Sequence, residues 1–109
     1  MKIAFDVKGT LDGPKGHIIL SVLLHLQKMG HECIVWSNSY GYARDFVEKH
    51  ELKDVRAESK GDKWNTDEKN FYDFAIEDDK SQTYLAAKQF IFVNEIETAG
   101  WILKKMGLK

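Results

Sequence analysis

Short apolar runs alternate along the chain with segments whose apolar residues recur at helical spacing. The apolar runs predict strands at residues 3–5, 31–36, 55–58, 71–76 and 89–93. The helical spacing predicts helices at residues 18–29, 42–50, 81–88 and 95–106. Residues 59–70 are polar and include Gly61, which favours either a loop or a weakly amphipathic helix there.

Strands that alternate with helices indicate a parallel sheet with helices on both of its faces. Crossovers between such strands are almost always right-handed, which leaves few topologies to consider. The chain has no internal repeat, no low-complexity tract and no linker. We therefore expect one α/β domain over residues 1–109, a three-layer α/β/α sandwich built around a five-stranded parallel sheet.

Composition and charge limit the kinds of partner that the protein can have. A chain of 109 residues can form a single core, and its formal net charge of -1 offers no basic footprint for nucleic acid or anionic lipid. Its longest apolar run, residues 18–24, is too short to span a bilayer, and Asp6 and Lys8 interrupt any signal peptide. A cytoplasmic location is expected. Cys33 is the only cysteine, which excludes a disulfide within one chain.

Polar residues follow three of the predicted strands, where apolar packing does not require them. Asp6 ends the first strand and is followed by a bend at Gly9; residues 37–38 and 78–79 end two others. In a parallel sheet these ends meet at one edge, where α/β proteins bind their ligands. Capping of the next helix is the alternative for Ser37 or Asp79 taken singly. The coincidence of three such ends favours a site.

The residues at these strand ends occur in the order of a known set of motifs. Residues 3–11, Ile-Ala-Phe-Asp-Val-Lys-Gly-Thr-Leu, resemble the first motif of the haloacid dehalogenase-like (HAD) superfamily, Asp-x-Asp-Gly-Thr-Leu. The second motif, a serine or threonine that ends an apolar strand, is similar to residues 34–38. The third is a lysine before the fourth strand, for which Lys60 and Lys63 both qualify. The fourth, acidic residues that end that strand, is similar to residues 75–79.

This resemblance implies a Rossmann-like fold and a Mg²⁺-dependent phosphatase. Asp6 would be the nucleophile and form an aspartyl-phosphate, with Lys60 or Lys63 supplying positive charge. The implied phosphate-binding residues are Gly9, Thr10, Ser37 and Asn38. The implied metal ligands are Asp6, the backbone carbonyl of Lys8, Asp78 and Asp79, an oxygen-only set of the kind that Mg²⁺ prefers.

Lys8 stands where the family pattern has its second aspartate, the general acid/base. A lysine has a reference pKa of about 10.4 and stays charged near carboxylates. The charged ammonium has no lone pair with which to act as a base. We expect slow turnover, above all in hydrolysis of the phosphoenzyme. One alternative is a non-catalytic module that binds phosphate or a partner at the same edge. Another is a receiver-like phospho-acceptor domain, although its aspartate would end the third strand, where residues 58–60 are Glu-Ser-Lys.

The short connections between the predicted elements also bear on the substrate. Larger members of the superfamily insert a cap domain, whereas here the first connection is only residues 12–17. The resemblance therefore implies a member without a cap and with an open site. Such a site suits a bulky or macromolecular phosphorylated substrate, or a neighbouring subunit as its lid in a homo-oligomer.

Overall fold

The described part of the chain contains five strands and three α-helices. The computed structural model describes residues 1–60, 72–82 and 86–108. The strands are β1 (Lys2–Asp6), β2 (Glu32–Ser37), β3 (Arg56–Ser59), β4 (Tyr72–Glu77) and β5 (Ala87–Phe92). The helices are α1 (Gly16–Lys28), α2 (Tyr40–Lys49) and α3 (Ala99–Lys105). Short turns of helix occupy Val7–Leu11, Lys80–Gln82 and Val93–Glu95.

The strands form one all-parallel sheet in the order β3-β2-β1-β4-β5. The predicted α/β class and five-stranded parallel sheet are therefore confirmed. β1 is central, with Asp6 beside Trp36 of β2 and Phe5 beside Ile76 of β4. Because all strands run in the same direction, their carboxyl ends lie along one edge.

The main core lies between one face of the sheet and the three described helices. Alternate strand residues such as Phe5, Val35 and Ile76 face this core, where they meet Leu23 of α1 and Ile102 of α3. Each of these five side chains is completely buried, and burial of such a side chain stabilises a fold by roughly 1.5–3 kcal/mol. This core fixes the positions of the central strands and therefore of the residues that end them.

The opposite face of the sheet carries a smaller apolar cluster. It includes Ala4, Ile34, Trp36 and Ala75, and all four are buried. Within residues 1–60, 72–82 and 86–108, no helix contributes a side chain to this cluster. The described helices thus flank the sheet on one face. None of the helices in these three ranges is long and apolar enough to cross a bilayer.

The strands and the first two helices lie close to where the sequence places them, whereas the predictions near the end of the chain need correction. The helix predicted at residues 81–88 is wrong: its described parts are a turn at Lys80–Gln82 and the start of β5. Ala87 pairs in register with Tyr72 of β4, and this pairing overrides local helix preference. The closing helix begins at Ala99, not residue 95, because the Thr98 hydroxyl accepts from the Trp101 amide and caps it.

Candidate functional site

The turn after β1 is shaped by Gly9. The Gly9 amide donates to Asp12 Oδ1 over 2.7 Å, and the Asp12 amide donates to the Val7 carbonyl over 3.0 Å. Gly9 has a φ of +77°, and an added Cβ there would lie 2.2 Å from Asp78 Oδ2. Only glycine combines this backbone conformation with so close an approach of a carboxylate. The absence of a side chain at Gly9 therefore leaves room for the Asp78 carboxylate at the end of β1.

Three carboxylates meet beside this turn. Asp6, Glu77 and Asp78 each offer an oxygen, and these oxygens lie within 4.8 Å of one another. Asp6 and Glu77 are buried, whereas Asp78 is exposed. The arrangement follows from the parallel sheet, because β1 and β4 are neighbours and end side by side.

Lys60, immediately after β3, reaches into this carboxylate cluster. Its Nζ lies 2.9 Å from Asp6 Oδ1 and 2.6 Å from Glu77 Oε1, and only 3% of the lysine side chain is exposed. Trp36 Nε1 donates to the other Glu77 oxygen over 2.7 Å, and Thr10 Oγ1 donates to Asp6 Oδ2 over 3.1 Å. Both buried carboxylates are therefore held in fixed orientations by hydrogen bonds from two sides.

Burial and mutual charge shift the pKa values of Asp6, Glu77 and Lys60. Burial, and next the charge of Glu77, raise the pKa of Asp6 to about 7, against the opposing effect of Lys60. Burial also raises the pKa of Glu77, although Lys60 and the Trp36 hydrogen bond oppose it. Burial lowers the pKa of Lys60, but the charges of Glu77 and Asp6 outweigh burial and leave that pKa raised. Lys60 therefore remains an ammonium among carboxylates that ionise reluctantly.

An open cleft of about 490 Å³ lies above the carboxylate cluster. Asp6 and Lys60 line its buried side. The structure also brings five other predicted site residues to its walls: Lys8, Ser37, Asn38, Asp78 and Asp79. Ser39 and Tyr42, which were not predicted, line it as well.

Some of the predicted site residues lie outside the cleft or have hydrogen-bond partners besides it. Thr10 is fully buried, and its hydroxyl contacts Asp6 from behind the cleft. Asp79 accepts from the Ser81 amide over 2.9 Å, which lowers the pKa of Asp79 and caps the following turn, as the capping alternative expects. Ser37 Oγ accepts from the Ser39 amide over 3.4 Å just before α2. Lys63 lies outside the described residues, so Lys60 is the predicted lysine seen at the site.

Glu77 and Trp36 belong to the site although sequence reasoning did not assign them to it. The signal for Glu77 is its position at the end of a buried apolar strand, where a carboxylate needs a cation. A buried tryptophan likewise needs an acceptor for its indole N–H, and Trp36 finds one in Glu77.

No protein-family model, no curated protein and no solved structure gives a significant match to this chain.

Proposed function

We propose that the protein is a Mg²⁺-dependent phosphohydrolase of the HAD-like type, acting through an aspartyl-phosphate on Asp6. One observation supports this most strongly: a carboxylate at the end of the central strand shares one cleft with a buried lysine and a second carboxylate. Asp6, Lys60 and Asp78 are those groups. A HAD-like protein of this type would also be a Rossmann-like three-layer sandwich. Its third layer would cover the face of the sheet that carries Trp36.

The donor set fits a hard divalent cation. Three carboxylates face one ammonium, so the ionised cluster carries an excess of negative charge. Asp6 and Asp78 would hold Mg²⁺, together with the Lys8 carbonyl and Asp79, because oxygen ligands suit this ion. When bound, Mg²⁺ would neutralise the repulsion between the nucleophile and the phosphate and orient the phosphoryl group.

The protein's own groups account for the rest of the proposed chemistry. The Asp6 carboxylate attacks phosphorus, so that an Asp6 oxygen–phosphorus bond forms as the bond to the leaving oxygen breaks. Lys60 stabilises the charge on the phosphoryl group. Ser37 and Asn38 line the cleft just before α2, where a helix N-terminus favours an anion. Water then attacks the phosphorus of the aspartyl-phosphate, which releases inorganic phosphate and restores the Asp6 carboxylate.

Lys8 lines the cleft in place of a general acid/base. A charged ammonium cannot take a proton from the attacking water, and a positioned acid/base is typically worth about 10²–10⁴-fold in rate. We therefore propose that turnover is slow. The same observation favours the second candidate function, a non-catalytic module that binds phosphate or a phosphorylated partner in this cleft.

An aryl phosphate assay with and without Mg²⁺ tests the proposed function. We expect slow hydrolysis that requires Mg²⁺ and is abolished by Asp6→Asn, which removes the nucleophile. Asp54→Asn is the matched control, because Asp54 is exposed just before β3 and lines no part of the cleft. If no hydrolysis is found while phosphate still binds, the binding module is the better description. Equal activity in Asp6→Asn would disprove the proposed nucleophile.

A further inference from the structure

A second cleft of about 580 Å³ lies between the turn after β1 and helix α2. Val7, Leu11 and Phe46 give it an apolar lining, and all three are buried. Hydrogen-bonding side chains also line it, among them Asp45 and Lys49. Nothing in the proposed phosphoryl transfer uses this space.

One side of the second cleft is an aromatic stripe on α2. Tyr42, Phe46 and His50 follow one another at intervals of four residues, which places their side chains along one face of the helix. All three line the cleft, and the rings of Phe46 and His50 lie 4.2 Å apart. An aromatic stripe usually packs into a core, but Tyr42 is 45% exposed and His50 is exposed as well. Their rings are therefore accessible to a ligand.

Tyr42 lies between the second cleft and the cleft above Asp6. It lines both clefts, and its hydroxyl donates to Asp12 Oδ2 over 2.6 Å. The other Asp12 oxygen accepts from the Gly9 amide. The ring is thus tied to the turn that follows Asp6, and a ligand that fills both clefts would pass Tyr42.

The charges around the second cleft disfavour a second phosphate. Among the described residues that line it, Asp12 and Asp45 are accompanied by one lysine, Lys49, and Arg44 outside it pairs with Asp45 over 3.2 Å. There is no surplus of positive charge for an anion among these groups. The chemistry instead suits an uncharged planar ring: π-faces for stacking, Asp45 as a hydrogen-bond acceptor and Lys49 as a donor.

We propose that the second cleft is the subsite for the base of a nucleoside monophosphate, whose phosphate occupies the cleft above Asp6. The placement of the phosphate rests on the proposed function, whereas the placement of the base does not. A nucleobase has a flat π-face and an edge with both donors and acceptors, and it carries no charge, so it matches each property of the cleft.

Binding of unphosphorylated nucleosides tests the subsite without any need for catalysis. We expect adenosine or uridine to shift the NMR resonances of Tyr42 and His50, and ribose to leave them unchanged. Tyr42→Ala and His50→Ala should each weaken nucleoside binding about tenfold, because each variant removes a ring on which the base would stack. Tyr42→Phe keeps the ring and should keep most of the affinity. Tyr40→Ala is the matched control, because Tyr40 is exposed on the same helix but lines neither cleft.

Steady-state kinetics separate this inference from the proposed function. A nucleoside monophosphate should have a KM about tenfold below that of glycerol phosphate, and His50→Ala should remove this preference. Nucleoside binding without any phosphatase activity would support the subsite and would contradict only the proposed reaction. Hydrolysis of aryl phosphate without nucleoside binding, or with binding that is insensitive to both alanine variants, would overturn the subsite.

Discussion

Lys8 is the residue on which the rate of the proposed reaction depends most. It lines the cleft beside Asp6, and the chain has no carboxylate at this position. Transfer of the phosphoryl group to Asp6 relies on positioning and charge, which a lysine need not abolish. Hydrolysis of the aspartyl-phosphate on Asp6 relies on a base that activates water, and a charged lysine cannot serve as that base.

Replacing Lys8 with aspartate should therefore speed the second step. We expect Lys8→Asp to raise steady-state turnover by about 10²-fold or more, the usual worth of a general acid/base. Single-turnover measurements should show slow loss of phosphoenzyme in the unmodified chain and faster loss in the variant. Lys8→Ala is the control, because it removes the charge without adding a base and should not reproduce the gain. An inactive Lys8→Asp variant that still binds Mg²⁺ would favour the binding module.

Single residues also show how far sequence reasoning reaches into the site. Asp6, Ser37 and Asp78 could be predicted because each interrupts or ends an apolar run, and parallel strands bring such ends together. The role of Thr10 could not be predicted. The HAD motif associates this position with phosphate, whereas here the buried Thr10 hydroxyl donates to Asp6. Which of two groups a hydroxyl contacts depends on how the turn folds, and residue type does not determine that.

The strands were easier to predict than the elements that follow them. β1, β2 and β4 are central and buried on both faces, so they read as continuous apolar runs. β5 is an edge strand with exposed Lys88 and Gln89 in its middle, and the sequence pattern predicts a helix at its first residues. Its pairing with β4 is a long-range contact that local propensity does not report.

The ends of three strands meet in one buried charge network, and this network should make the metal-free protein sensitive to pH. Burial raises the pKa of Asp6 from its ordinary value of 3.8 to about 7. Between these two values the folded state holds a proton on Asp6 that the unfolded state has already released. Stability of the metal-free protein should therefore fall as the pH rises through this window.

Chemical denaturation at a series of pH values, without metal, measures this effect. The unmodified chain should lose more stability between pH 4 and pH 7 than Asp6→Asn, which cannot ionise at that position. Mg²⁺ affinity should change in the opposite direction and rise up to about pH 7, because the metal needs the deprotonated carboxylate. Identical pH dependence in the two proteins would show that Asp6 ionises normally.

Metal binding at the sheet edge should stabilise the molecule as a whole, because the proposed ligands come from two central strands. A ligand that binds only the folded state adds RT ln(1 + [L]/Kd) to the free energy of unfolding. With a dissociation constant of about 1 mM, 10 mM Mg²⁺ would add about 1.4 kcal/mol. For a domain of this size, that corresponds to a rise in Tm of about 5 °C or more.

Two glycines allow the expected stabilisation by Mg²⁺ to be tested against a matched control. Gly9 and Gly30 both have positive φ, at +77° and +89°, so an alanine at either position should cost about 1–2 kcal/mol of stability. A Cβ at Gly30 would meet nothing within 4 Å, whereas one at Gly9 would displace the Asp78 carboxylate. Thermal unfolding should show a lower Tm for both variants, but only Gly9→Ala should lose the Mg²⁺-dependent rise. A full rise in Gly9→Ala would mean that Asp78 is not a ligand.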